Sequence, residues 1–523
     1  MRTPRSHCRS ILLLCAVSAV AQDQSVFRAG TRLVEVDVVV RDKNGPVRGL
    51  TKDDFTLFDC KASERDANRS FQPCKGKRQP LDVFREVGAA VSQAIPPPPP
   101  LPPGTVSNRV SNDGKPLASA TVVLLDQLNT PFGLKGYERE NVVKFLQSTG
   151  DNNRVALYAL GQDLHILQDF TDDPKKLIQA LSKLDSGDQF TFAQDSATDA
   201  KIAALEGQVN ADIVRSISVD AIRKIVQHME GIPGRKNLVW IGQGLGVVFN
   251  PQFGPPEARI LLGQANIAVY PVMVRSIMGS RGIAESKSLP PPPGARLLDI
   301  QDGQRKFAQT LGGSGFTDAS EIQLAVTAAE EDANNYYVLG FYPDEKDLDG
   351  GTHQLTLEVS KRVSKRPDVS LTYRQVYLAA KPAAAPPEEK LSIGDLFRSP
   401  LDATAIGLTA AIVANQIRAT VNLADIQLRR EDGRFVGSFQ LASRFEYKDA
   451  GVLMVTQPVV QTVTINMNEA ELAAARVSGF PVTQPVPADV NRGSAHIVVQ
   501  DAANGAAGSL RVAIPNKQAN PTR

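Results

Sequence analysis

Asp126 ends a short apolar run, Thr121-Val-Val-Leu-Leu-Asp126, and Gln127-Leu128-Asn129-Thr130 follows it. A run of this kind is how a buried parallel strand delivers one carboxylate to the C-terminal edge of a sheet. That edge is where open α/β sheets take their ligands. The chemistry on offer is coordination of a hard cation, but the oxygens that a metal would need around Asp126 are partly missing. The stretch reads as a binding scaffold with an incomplete metal site.

Other reactive groups do not assemble into a catalytic pattern. Beyond the first residues the histidines are His165, His228, His353 and His496, on different elements and in no metal-binding pair. Gly312-Gly-Ser-Gly-Phe316 lacks the glycine spacing of a nucleophile elbow. The adjacent acids Asp53-Asp54 and Asp172-Asp173 point different ways and serve better as helix caps. Gly242-x-Gly244-x-Gly246 follows a strand, but Val247 stands where a dinucleotide loop needs a further glycine. Gly231-Ile-Pro-Gly-Arg-Lys236 precedes its strand and Asn237 replaces the Ser/Thr of a phosphate loop, so it reads as a turn with Arg235 and Lys236 solvated.

Composition narrows the class. At 523 residues the chain has room for about three domains. With 42% hydrophobic and 22% charged residues it can bury cores. Its net charge of +2, from 58 basic and 56 acidic residues, supplies no field for nucleic acid or anionic lipid. Arg2, Arg5 and Arg9 precede an apolar stretch from Ile11 to Ala21, with Ala19-Val20-Ala21 as a cleavage pattern, so residues 1–21 read as a signal peptide. The mature chain is then expected to be exported, periplasmic or secreted, with no membrane span. Cleavage would remove Cys8 and Cys15 and leave Cys60 and Cys74, 14 positions apart, for which a disulfide and two free buried thiols are the alternatives. A disulfide closing such a loop stabilises by about 3 kcal/mol in the chain-entropy model.

Alternation of Val34, Val36, Val38 and Val40 and the turn Asp42-Lys43-Asn44-Gly45 open a β unit over 25–95. The proline-rich stretch 96–117 reads as a spacer. Over 118–345, strands at Thr121–Asp126, Arg154–Leu160, Asn237–Ile241, Asn266–Val274 and Tyr336–Tyr342 alternate with helical patterns at Lys135–Ser148, Pro174–Leu184, Val214–Met229, Ala295–Leu311 and Glu321–Asn334. The order predicts an α/β fold, a doubly wound and mostly parallel sheet with helices on both faces. Residues 346–378 read as a hairpin around the solvated run Lys361 to Arg366, 379–390 as a linker, and 391–517 as an antiparallel β-sandwich. The unit at 25–95 is small for independent stability, which predicts that it pairs with the strands at 353–378.

Several stretches together carry a resemblance: Leu33-Val-Glu-Val-Asp-Val-Val-Val40, Gly49-Leu-Thr-Lys-Asp-Asp-Phe55, Asp126-Gln-Leu-Asn-Thr130, Pro233-Gly-Arg-Lys-Asn-Leu-Val-Trp240, Asn266-Ile-Ala-Val-Tyr-Pro271 and Tyr336-Tyr-Val-Leu-Gly-Phe-Tyr-Pro343. The central region resembles a von Willebrand factor type A (VWFA) domain, and the chain resembles the exported VWFA-related family typical of acidobacteria. The resemblance implies a Mg²⁺ site built from Asp-x-Ser-x-Ser, a later Thr and a later Asp. Asp126 matches the first acid and Thr130 the second hydroxyl, whereas Leu128 replaces the first serine and coordinates nothing. Thr191 stands for the later threonine, and Gln243 offers a neutral amide in place of the later acid. Losing one hydroxyl and one charge predicts no tight Mg²⁺ binding and no other cofactor. The function expected is recognition of an extracytoplasmic protein or surface ligand beside Asp126, Thr130 and Gln243, with Leu128 and Phe132 adding apolar surface. A structural envelope scaffold is the alternative, and an envelope hydrolase lacks the convergent groups it needs.

Overall fold

The computed structural model describes residues 33–61, 74, 76–88, 101–109, 120–128, 130, 132–148, 154–182, 184, 199–232, 234–242, 256–274, 297–379, 392–449 and 451–515. The expected signal peptide, the cluster Pro290 to Pro293 and nearly all of the 379–390 linker lie outside them.

From the N-terminus come β1 (Val34–Asp42), β2 (Phe55–Lys61) and β3 (Val83–Gly88). The α/β region then runs β4 (Ala120–Asp126), α1 (Phe132–Ser148), β5 (Val155–Leu160), β6 (Leu164–Thr171), α2 (Pro174–Ser182) and α3 (Asp199–Glu230). It continues through β7 (Lys236–Gly242), α4 (Pro256–Gln264), β8 (Ile267–Met273), α5 (Leu297–Thr310) and α6 (Ile322–Asn334). Its sheet has the order β8-β7-β4-β5-β6, parallel except for β6, which runs antiparallel to β5 at one edge. Strands β4, β5, β7 and β8 are buried at every residue, because helices cover both faces. Val122 and Leu124 face α3, α4 and α5 through Ile222, Ile225, Leu262 and Phe307. Val123 and Leu125 face α1, α2 and α6 through Val142, Phe145, Leu177 and Val326.

β9 (Asn335–Phe341), β10 (Thr352–Val359), α7 (Lys361–Ser364), β11 (Ser370–Tyr373) and β12 (Val376–Leu378) follow. The expectation that Tyr336–Tyr342 joins the parallel sheet is incorrect. β9 instead pairs antiparallel with β1 and β3, in a sheet of order β11-β1-β9-β3. Its apolar run misleads because both of its faces are covered here too. Tyr337, Leu339 and Phe341 face a second sheet built on β2, β10 and β12, while Tyr336 and Val338 pack with Val39 on the other side. β1 pairs with β11 and β2 with β10, so chain on both sides of the α/β region builds one β module. Cys60 and Cys74 are joined as a disulfide. Lys361 to Arg366 is more than a solvated turn: Arg362 reaches Asp54, whose carboxyl it holds well below the ordinary range, and Arg366 lies 3.1 Å from Asp42.

The C-terminal part contains α8 (Ile393–Arg398), β13 (Leu408–Val413), β14 (Gln416–Val421), β15 (Arg434–Asp449), β16 (Val452–Val455), β17 (Val459–Met467), α9 (Glu469–Ser478), β18 (Phe480–Pro485), β19 (Gly493–Asp501) and β20 (Ala507–Ile514). Two antiparallel sheets, one with β18, β14 and β13 and the other with β15, β19 and β20, share one apolar core. Part of the stretch read as a spacer belongs here. Val106–Ser107 pairs with β13, and Asn108 Nδ2 donates to the carbonyls of Ala403 and Ile406.

Two polar junctions tie the layers together. Arg235 and Lys236 are buried rather than solvated. Arg235 donates to Tyr270 Oη at 3.2 Å and to the Gly312 carbonyl, and stands 4.0 Å from Asp332. Asp332 accepts from Tyr270 Oη at 2.6 Å and from Arg41 of β1 at 2.7 Å. At the other junction, His228 Nδ1 lies 2.7 Å from the Asp402 carbonyl oxygen and Nε2 lies 3.2 Å from Asp169 Oδ1. Both partners only accept, so both ring nitrogens carry hydrogen and the ring is an imidazolium. The same segment caps α3: Thr404 N donates to the Gln227 carbonyl and Thr404 Oγ1 to that of His228. A Cβ on Gly231 would come within 1.6 Å of the Thr404 carbonyl oxygen, so only glycine fits this approach.

Two outcomes are expected. Replacing Arg235 by Met leaves Asp332 buried with less compensation and lowers unfolding free energy by about 3 kcal/mol in denaturant titration; a loss below about 1 kcal/mol would show the network to be dispensable. Burial pushes the His228 pKa down, but the Asp169 charge and the two hydrogen bonds outweigh it and raise the value above its ordinary 6.5. Its contribution is therefore complete below about pH 6.5 and fades as pH rises through the raised value. Asp169, held down to about 2, keeps its charge across that window. His353 is shifted the same way, so the measurement is the difference between the wild type and His228→Gln in urea stability from about pH 6 to about pH 9. A constant difference over that range would refute the imidazolium.

Candidate functional site

The central strand β4 carries the site because its neighbours β5 and β7 are reached by chain that crosses opposite faces, α1 on one and α3 on the other. The crevice of an open α/β sheet opens where the crossings diverge, at the carboxyl ends of the strands. Asp126 is the last residue of β4, and it is fully buried. Its Oδ2 accepts a 3.1 Å hydrogen bond from Trp240 Nε1 on the adjacent strand β7. An indole N–H buried in an apolar layer needs an acceptor, and Asp126 supplies one. Gly242 lies over the same carboxylate, and a Cβ there would stand 2.5 Å from the Asp126 Cβ.

After β4 the chain turns tightly. Leu128 N donates to the Leu160 carbonyl at 2.8 Å and Thr130 N to that of Asp126 at 3.1 Å. This geometry turns Leu128 toward the core, where it packs against the α3-side cluster. The Thr130 hydroxyl is buried without a partner in good hydrogen-bond geometry, and sits beside Glu138 of α1. Gln127 Nε2 lies 3.3 Å from Glu138 Oε1. Burial, reinforced by the Asp126 charge, raises the Glu138 pKa well above the ordinary carboxyl range. Lys135, half-buried one helical turn away, has its pKa lowered by burial while the Glu138 and Asp126 charges oppose the shift.

The structure thus brings together Asp126, Leu128 and Thr130 from the sequence reading. Thr191, Gln243 and the Phe132 side chain lie outside the described residues. The described members of the set do not suit an octahedral Mg²⁺: Asp126 is engaged with an indole, and Leu128 is apolar and packs toward the core. Among the described residues no group of three or more His, Cys, Asp or Glu side chains could hold a metal ion. What the arrangement holds at this edge is a buried carboxylate bonded to an indole, beside a second buried acid and an amide.

Sequence reasoning misses Trp240, Glu138 and Gly242 as site residues. A signal for Glu138 is present, because it stands at helical spacing from Val142 and Phe145 on the stripe that α1 buries. The signal for Trp240 is that the chain holds 1 tryptophan and sets it in an aliphatic strand.

No family model matches the chain, and no curated protein matches it. Solved structures do. An aerotolerance-related membrane protein from Bacteroides fragilis aligns at 14% identity and a TM-score of 0.25, covering 41% of this chain and 100% of that one. The von Willebrand factor domain of the type V pili tip protein Mfa5 from Porphyromonas gingivalis aligns at 17% identity and 0.15, covering 24% and 38%. A von Willebrand factor type A structure from Catenulispora acidiphila aligns at 8% identity and 0.23, covering 53% and 68%. Scores this low carry no argument, and the strand order above is what describes the fold.

Gly242→Ala is expected to force β7 away from Asp126, costing about 1–3 kcal/mol of stability. Because Trp240 is the single tryptophan, its emission should shift in the same variant. Unchanged emission together with unchanged stability would show that the close approach tolerates a methyl group.

Proposed function

We propose that the chain is an exported, non-enzymatic binding protein that takes a protein or surface ligand at the carboxyl edge of a VWFA-like sheet, without tightly held Mg²⁺. The observation that carries this reading is Asp126, at the end of the central strand and at the divergence of the crossings, hydrogen-bonded to Trp240 rather than presented to solvent. Binding there would use shape, apolar contact and the half-buried cation Lys135. A disulfide suits an oxidising compartment, and no described helix is long and apolar enough to cross a membrane. Absence of turnover is supported by the histidines. His228 has both ring nitrogens engaged with acceptors, and His353 and His496 are buried, with Nδ1 of His353 on Asp59 at 2.9 Å.

Titration of the mature chain with Mg²⁺ or Mn²⁺, followed by heat and by Trp240 emission, tests the metal part. Affinity weaker than millimolar is expected, and micromolar affinity abolished by Asp126→Ala would restore metal-dependent adhesion. Retention of an envelope component by the immobilised chain tests the site. Lys135→Glu should reduce that retention at least tenfold with the circular dichroism spectrum unchanged. Equal retention by both forms, or none by either, rejects binding at this edge and leaves the structural scaffold.

A further inference from the structure

The C-terminal sheet ends in an edge that lacks the usual protection. Strands β16 and β17 both lie along the same side of β15 and, among the described residues, pair with nothing else. All four residues of β16 are exposed, from 41% at Met454 to 62% at Leu453, and Val459 and Val460 of β17 are 45% and 51% exposed. Burial begins only further along, at Ile465. An edge strand presents an unpaired row of N–H and C=O groups, and proteins normally blunt it with charges, prolines or a covering element. From Val452 to Met467 there is no ionisable residue, and Pro458 is the single interruption.

We propose that this edge is the contact between two copies of the chain, joined antiparallel across a two-fold axis so that their sheets become continuous. The occupant is a second copy because the strand is complementary to itself. Centred on Gln461, the pairing sets Val459 against the partner's Val463 and Val460 against the partner's Thr462. In these central pairs apolar side chains meet apolar or threonine side chains, and the two Gln461 amides face each other across the axis. Having no charge, the strand meets its own copy without like-charge repulsion, and has no charge by which to select an acidic or basic peptide. A two-fold contact uses the same patch on both subunits and closes, which removes the edge in one step. The inference is independent of the reading of Asp126, since the edge belongs to a different sheet.

Mass measurement of the mature chain by light scattering and analytical ultracentrifugation decides it. The wild type should have twice the chain mass. Val460→Lys with Thr462→Lys sets like charges opposite each other, as does Val460→Glu with Thr462→Glu, so each double variant should be monomeric with an unaltered circular dichroism spectrum. Mixing the two should restore a 1:1 dimer, because the introduced lysines of one copy then face the introduced glutamates of the other. A monomeric wild type at high micromolar concentration, a dimer indifferent to the lysine variant, or open-ended higher assemblies would each overturn the proposal.

Discussion

The arrangement rests on a buried cation at the start of a central strand. Arg235 precedes β7, and its guanidinium lies among Tyr270, Asp332 and the Gly312 carbonyl, with Tyr336 Oη accepting its backbone N–H at 3.2 Å. Burial disfavours the charge, but the Tyr270 and Asp332 oxygens more than offset it and hold the guanidinium protonated. Arg41 of β1 takes the other side of Asp332. Next to it, Asp37 of β1 accepts from Asn266 at 2.8 Å while Lys236 and Arg374 sit buried nearby. A charge cannot leave water unless such partners are in place, so the β module and the parallel layer are docked in one orientation.

That docking lies at the amino ends of β7 and β8, opposite the end that carries Asp126. The separation is useful. Charges that hold layers together stand at one end of the sheet, and Asp126 closes the central strand at the other, so the two sets of buried polar groups do not compete for the same partners. At that end one carboxylate is bonded to an indole, and a second acid, Glu138, is buried beside it.

The second junction binds the α/β layer to the C-terminal part through His228, stacked on Phe170 at 5.5 Å between ring centres. Because residues 402–404 also cap α3, the end of that helix and the position of the C-terminal sheets are set together. The chain therefore behaves as three layers sharing two polar seams, with the disulfide confined to the β module.

Local sequence determined a good deal. Apolar runs at 122–125 and 238–241 specify strands buried on both faces, and helical spacing located α1, α2, α5 and α6 within a few residues. The two cysteines and the acid at the end of β4 were also legible. The short helix α4 and the antiparallel strand β6 were not, since neither has a strong apolar period, and α3 begins well before its apolar stripe. Only the tertiary structure decided that the 335–341 strand belongs to the β module, that Arg235 and Lys236 are interior, and that Trp240 and Glu138 surround Asp126. The physical reason is common to all three. Periodicity reports whether a face is covered, but which element covers it, and which buried charge meets which partner, depends on contacts between residues far apart in the chain.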